Sequence, residues 1–267
     1  MEKFQKYCLS LLVFVVYVNL QSQVNCNTIE GEDCKKACEI YNSLESVGQG
    51  DRKSQEGFDT AIELCPTFSN VYKEKSVPYL KSGDFITWKI WIDKAVNLEP
   101  KMHLGYRGWC KYQFLRDYKG AIADIEALEK MYPTGYLGYS SNGDYELHIV
   151  KGLCYSALGG KEKAISIIEN QLSKKDHNIG FYDYYQLGVI YFETGKYDKA
   201  LENFERQSKE NDFAENIYFK SKVSKVRNKD YLDLKKLALA TYDQGKTMKD
   251  GYTHHFNKVY RKEIEEL

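Results

Sequence analysis

A tyrosine recurs through the middle of this chain in a fixed frame, and that recurrence constrains the fold more than any other feature. Around Tyr191 the frame reads Gly188-x2-Tyr191, then Ala200, then Phe204. Around Tyr155 it reads Gly152-x2-Tyr155, Ala164, Ile168. Tyr112 follows Trp109 and precedes Ala121 and Ile125; Tyr79 follows Ser76 and precedes Trp88 and Ile92. A turn falls at the same phase each time, at Gly83-Asp84-Phe85, Arg116-Asp117-Tyr118, Gly159-Gly160-Lys161 and Gly195-Lys196-Tyr197. Self-similarity of this kind marks supersecondary units that cannot bury an apolar face alone and must stack to make a core.

Helix is the expected element, because the chain of 267 residues holds only 4 prolines and little strand-like alternation. Each phase then has a task. Gly152, Gly188 and small Ser76 let the first helix of a unit approach the second. Trp109 at that phase implies a locally wider packing. Ala121, Ala164 and Ala200 do the reciprocal work, whereas Trp88 breaks it. Pro66, Pro100 and Pro133 stop the second helices, since proline cannot continue the amide ladder. Pro78 falls inside a first helix and should bend it.

These residues resemble the tetratricopeptide repeat (TPR) family, whose pattern places an aromatic, Leu-Gly, Tyr, Ala, Phe, Ala and Pro at set phases of a unit of about 34 residues. The stretch with Tyr184, Leu187, Gly188, Tyr191, Ala200 and Phe204 carries the likeness best. The implied fold is an all-α, right-handed α-solenoid of about four clear and two degenerate units, near 35–68, 69–101, 102–135, 145–178, 181–214 and 215–248. Residues 23–34 read as a short linker, 136–144 as an inserted Gly- and Ser-rich loop carrying Tyr136 and Tyr139, and 249–267 as a capping helix with Phe256, Val259, Tyr260, Ile264 and Leu267 at helical spacing.

The resemblance also implies a concave groove lined by the first helix of each unit. Its phases fall on Asn70, Lys73 and Val77, then His103, Tyr106, Arg107, Cys110 and Gln113, then Glu146, Ile149 and Leu153, then Tyr182, Tyr185, Gln186 and Val189, with Phe219 beyond. Such a surface would grip an extended peptide or a helix, with tyrosine rings as contact area and Lys73 and Arg107 taking a carboxylate. Any of these positions could instead pack between units. A clamp for chaperone C-termini is disfavoured: Val77 and Arg107 stand where asparagines belong, and Glu146 stands where a lysine does.

The N-terminus reads as an export signal over residues 1–22, with Lys3 and Lys6 ahead of an apolar run from Cys8 to Val18 and then a polar stretch. The run is short for a membrane span, which needs about 20 apolar residues. Acylation at Cys26 is the alternative, against a poor lipobox. Export permits disulfides, and Cys65 is placed to meet Cys34 or Cys38 if the chain folds back between them. Cys110 and Cys154 read as buried small hydrophobes.

Catalytic signals are sparse. The histidines (His103, His148, His177, His254, His255) do not fall at metal spacing, and no phosphate loop or nucleophile elbow occurs. A non-catalytic scaffold without cofactor or metal is expected, binding a protein or peptide of the envelope or secretion machinery. The competing reading is an enzyme or ligand-binding protein with a site near Tyr106, Arg107, Tyr139 and His148. With 38 basic and 38 acidic residues and no basic run, nucleic acid is not expected as a partner.

Overall fold

The computed structural model describes residues 23–132 and 135–267. The stretch read as a signal peptide, residues 1–22, and Pro133 lie outside them. Six helical pairs follow one another: α1 (Glu32–Ser43) with α2 (Arg52–Leu64), α3 (Ser69–Ser82) with α4 (Phe85–Leu98), α5 (Pro100–Cys110) with α6 (Tyr118–Glu129), α7 (Leu147–Ala157) with α8 (Lys161–Leu172), α9 (Asp183–Glu193) with α10 (Tyr197–Glu210), and α11 (Ala214–Val226) with α12 (Leu232–Asp243). A short α13 spans Arg261–Glu265. Each helix packs on the next in sequence, and α5 also meets α7, α7 meets α9, and α9 meets α11. First helices therefore lie on the inside of the array, where successive pairs converge. This is an all-α solenoid of TPR type.

The repeated frame is written into the contacts. Tyr112, Tyr191, Ile92, Ile125, Ile168 and Phe204 are buried in one continuous core, together with Ala121, Ala164 and Ala200. A Cβ on Gly152 would lie 2.6 Å from Ile168 Cγ1, so only glycine permits this separation of α7 and α8. The turns inside the second to fifth pairs all pass through the left-handed region, at Gly83 (φ 84), Arg116 (φ 56), Gly159 (φ 87) and Gly195 (φ 74). Asp84 and Asp117 then cap α4 and α6 by accepting from Thr87 N and Gly120 N.

Two expectations are corrected. Trp109 does not hold the close-approach position of the third pair; Gly108 does, with a built Cβ only 3.2 Å from Asp124 Cβ. Residues Lys111–Leu115 form a π-helical turn that absorbs one extra residue and returns Tyr112 to phase. The packing is therefore tight, and Trp109 turns aside against Tyr106 and Phe114. The capping helix of 249–267 is helical only over Arg261–Glu265; residues 246–260 form an irregular strap. Asp250-Gly251 and Asn257 at φ 59 break the helix that the apolar spacing suggested.

Cys34 is joined to Cys65, tying α1 to the end of α2, and Cys26 is joined to Cys38. A disulfide at Cys26 leaves no sulfur free for acylation. In the inserted loop Tyr139 docks, its hydroxyl donating to the Asn178 carbonyl at 2.7 Å, while Tyr136 stays exposed. Among the described residues no helix is long and apolar enough to cross a membrane.

Candidate functional site

The groove phases divide into two halves with different fates. In the first half Lys73 on α3 stands over the Tyr106 ring of α5, its Nζ 5.0 Å from the centroid. Next to it opens a cleft of about 530 Å³ whose lining includes Lys73, Lys101, Met102, Tyr106, Tyr132 and Tyr139. Met102 is 54% exposed there, and Lys101 Nζ lies 4.7 Å from the Tyr132 centroid. Asn70 sits half-buried at the start of α3. An apolar floor flanked by ammonium groups suits a peptide chain with an acidic residue or terminus.

Arg107 is not one of the available cations. Its Nε and Nη2 bind Asp124 at 2.9 and 2.6 Å, and its Nη1 reaches Asp93 at 2.8 Å. Lys111 adds a further contact to Asp124 at 2.8 Å, so the guanidinium is the centre of a buried tie between α4, α5 and α6. His103 is also withdrawn. It is buried against Ser69 Oγ at 2.9 Å, and Ser69 in turn donates to Glu99 at 2.7 Å. Glu146 caps α7 by accepting from His148 N and also meets the His148 ring at 2.8 Å, while Ile149 is wholly buried. Of the four residues in the competing small-ligand reading, the cleft collects Tyr106 and Tyr139 but not Arg107 or His148.

The second half is roofed by the strap. Tyr185 Oη donates to the Asn257 carbonyl at 2.6 Å, and Gln186 Nε2 to the Phe256 carbonyl at 2.9 Å. Asn257 Nδ2 returns a bond to Gln186 Oε1 at 2.8 Å. Phe256 packs edgewise on Tyr112 and Tyr118, and Tyr182 meets His255 at 5.0 Å between ring centroids. The π-helical turn after α5 presents the Gln113 carbonyl, which accepts from Thr253 Oγ1 at 3.2 Å. Phe219 lies deeper, edge-on to Tyr185 and Phe192 and tilted against Phe204. Tyr185, Gln186, Gln113 and Phe219 are thus buried, not presented to solvent. Sequence reasoning missed the strap because its apolar residues fit a helical spacing; the signal against that was Asp250-Gly251.

Among the described residues no group of three or more His, Cys, Asp or Glu side chains is placed to hold a metal ion. Burial pushes the Cys110 and Cys154 thiols far up, which makes them inert packing groups.

A tetratricopeptide repeat model matches residues 184–211, the α9–α10 pair. No curated protein matches the chain in sequence. Solved structures share the fold at low identity. PilW, a type IV pilus biogenesis factor, superposes at TM-score 0.62 with 14% identity over 80% of this chain and 96% of its own. PilF of Pseudomonas aeruginosa gives 0.60 with 12% identity over 80% and 91%. Human IFIT1, solved with PPP-AAAA, gives 0.53 with 16% identity over 80% of this chain and 50% of its own. At this identity the likeness shows the fold alone, and function has to be argued from the site.

Proposed function

From a TPR-type solenoid with one open cleft and one roofed half-groove, we propose that this chain is an exported, non-catalytic adaptor that holds a protein partner's extended segment. The cleft beside Tyr106 carries the reading: exposed Met102 and the tyrosine rings offer contact area, and Lys101 offers charge to an acidic side chain or a terminus, while Lys73 is paired with Glu74. A protein suits it better than a nucleic acid, because Glu99 shares the cleft and the chain balances 38 basic with 38 acidic residues. Two disulfides near the N-terminus favour an oxidising compartment, in keeping with the export signal read from the sequence. The likeness to pilus biogenesis factors favours an envelope or secretion component as partner. The non-catalytic reading is supported by where the polar groups go: Arg107 and Asp124 tie neighbouring helices, His103 is bound to Ser69, and Glu146 caps its own helix.

A photo-crosslinking residue at Met102, with another at exposed Ile86 on α4 as control, tests this. One discrete protein is expected to crosslink from Met102 and not from Ile86, and Tyr106→Ala should weaken capture at least tenfold. Equal crosslinking from both positions, or capture untouched by Tyr106→Ala, would remove the cleft from the reading.

A further inference from the structure

Three features of the strap set it apart from an ordinary C-terminal tail. The first is the way it is held. Side chains of the groove bind its main chain: Arg116 donates to the His254 carbonyl, Gln186 to that of Phe256 and Tyr185 to that of Asn257. Main-chain recognition of an extended segment, with a pocket for one side chain, is how a groove holds a peptide that belongs to another molecule. Near the ends of the strap Met248 and Val259 are buried in the core; between them the side-chain contacts are Thr253 on the Gln113 carbonyl, His255 on Tyr182, Phe256 on Tyr112, Asn257 on Gln186, and Lys258 on Glu215, a carboxylate with no solvent exposure. The Arg116 backbone adds to the picture. Its three sister turns use glycine in the left-handed region, whereas here a side chain stands at that φ and reaches the strap.

The second feature is incomplete satisfaction. Tyr112 Oη, both amide atoms of Gln113, Arg116 Nη1 and His255 Nδ1 are buried and find no hydrogen-bond partner among the described residues. Five such atoms lie along one contact, although buried polar groups in a fitted core are nearly always paired.

The third is how it is tethered. Lys246 O accepts from Ala214 N, at the start of the strap. At its far end Lys225 and Lys235 bind the carbonyls of Leu267 and Glu265, and Arg261 binds Asp243. Both ends are fastened to the sixth pair, while the middle reaches Gln113 and as far as Lys81, whose Nζ stands 5.0 Å from the Tyr252 ring. The middle lies outside any helix, although His255 within it is buried.

We infer that residues 246–260 are a displaceable internal ligand, and that a partner segment of aromatic–amide–basic character takes the place of Phe256-Asn257-Lys258 on Tyr112, Gln186 and Glu215. This rests on the groove reading above and extends it: α5 lines the open cleft and the π-helical turn that continues it meets the strap, so displacement joins both halves into one channel. Glu215 sets the specificity. A buried carboxylate requires a cation, so an incoming segment without Lys or Arg at that place would leave it unpaired.

The probe is a dye-labelled synthetic peptide of residues 250–260, titrated into full-length wild type and into the Phe256→Ala/Asn257→Ala variant, read by fluorescence anisotropy. The variant is expected to bind at least tenfold more tightly than wild type, because its own strap competes less, and a peptide carrying Lys258→Glu should lose that binding. Equal binding to both chains, or no binding to a variant whose circular dichroism matches wild type, would overturn the inference. Hydrogen exchange on wild type gives an independent reading that does not depend on the variant folding. Amides of 250–260 should exchange at least a hundredfold faster than those of α9 and α11; exchange in step with those helices would make the strap a permanent part of the core. Neither failure touches the Met102 crosslink, so the two readings stand or fall separately.

Discussion

Gly188 and Phe204 meet so closely that a Cβ on the glycine would lie 2.5 Å from Phe204 Cε1. The contact sits at the centre of the α9–α10 pair, where Phe204 is wholly buried and no flexible side-chain end is available to give way. Gly188→Ala gains helix propensity of about 1 kcal/mol, but overpacking costs about 1–3 kcal/mol. Net destabilisation of up to about 2 kcal/mol is expected in urea melts, from the same two principles. Gly251→Ala, with nothing within 4 Å of its Cβ, is the control and should change stability by less than about 0.5 kcal/mol.

Arg107 gives a second prediction because its role has changed from groove cation to internal tie. Removing it leaves Asp124, whose side chain is only 6% exposed, facing Lys111 alone. Breaking a buried pair by deleting one partner costs about 3–5 kcal/mol, and Lys111 should reduce that to about 2–3 kcal/mol. Thermal melts of Arg107→Ala should show it. An unchanged melting point, with partner capture lost, would return Arg107 to the binding surface.

The fold was legible because its determinants are periodic. Gly152, Gly188 and the alanines at 121, 164 and 200 recur at spacings that only stacked helix pairs explain, and the contacts use them so. The site was half legible. Lys73 and Tyr106 stand side by side, whereas Arg107 and His103 were absorbed by partners from other helices, Asp124 and Ser69, that no single-helix phase reveals. The strap was hidden for a related reason. Phe256, Val259 and Ile264 are spaced as on a helix, yet Val259 and Ile264 are buried outside one continuous helix and Phe256 packs on Tyr112, far off in sequence, and helical spacing says nothing about distant partners.

The disulfides predict a two-step response to reductant. Cys34–Cys65 closes 31 residues and Cys26–Cys38 closes 12. On the loop-entropy model the longer link is worth about 3–4 kcal/mol and the shorter about 3 kcal/mol. Reduction should therefore loosen α1 and α2 well before the rest of the solenoid, visible as faster hydrogen exchange confined to them. Cys110 and Cys154 should alkylate only after denaturation, with or without reductant. Ready alkylation of Cys34 or Cys65 in unreduced, exported protein would contradict the pairing.

His103 makes the fold sensitive to acid. The Ser69 hydroxyl spends its proton on Glu99, so its bond with His103 Nε2 assigns that proton to the neutral imidazole. Burial pushes the His103 pKa from 6.5 down to about 4. An unfolded chain then takes up a proton between those values that the folded chain refuses, and stability falls as pH drops through that window. His103→Gln, which keeps a donor, should flatten the melting temperature between about pH 6.5 and 4, the same two limits. A wild-type profile equally flat there would show that the ring is not held neutral.

Asp144 works in the opposite sense, beside the strap. Burial first, then the carboxylates of Asp250 and Asp183, push its pKa from 3.8 to about 7. Folding therefore retains a proton that the unfolded chain releases above about pH 4, so this contribution is complete below that value and is lost as pH rises through 7. Asp250 belongs to the strap, as does His255, whose Nε2 lies 3.7 Å from Asp144 Oδ2 and whose own pKa burial lowers. Neutral His255 offers no charge to compensate an ionised Asp144, so the repulsion between Asp144 and Asp250 falls on the strap contact itself. Hydrogen exchange at 250–260, corrected for the intrinsic rise with pH, should accelerate between about pH 6 and 8, the span around that pKa. Asp144→Asn should abolish the acceleration and stabilise the chain more at the upper end of that range than at the lower. Acceleration of equal size in the variant would show that the strap is released by some other group, and that Asp144 does not couple protonation to the groove.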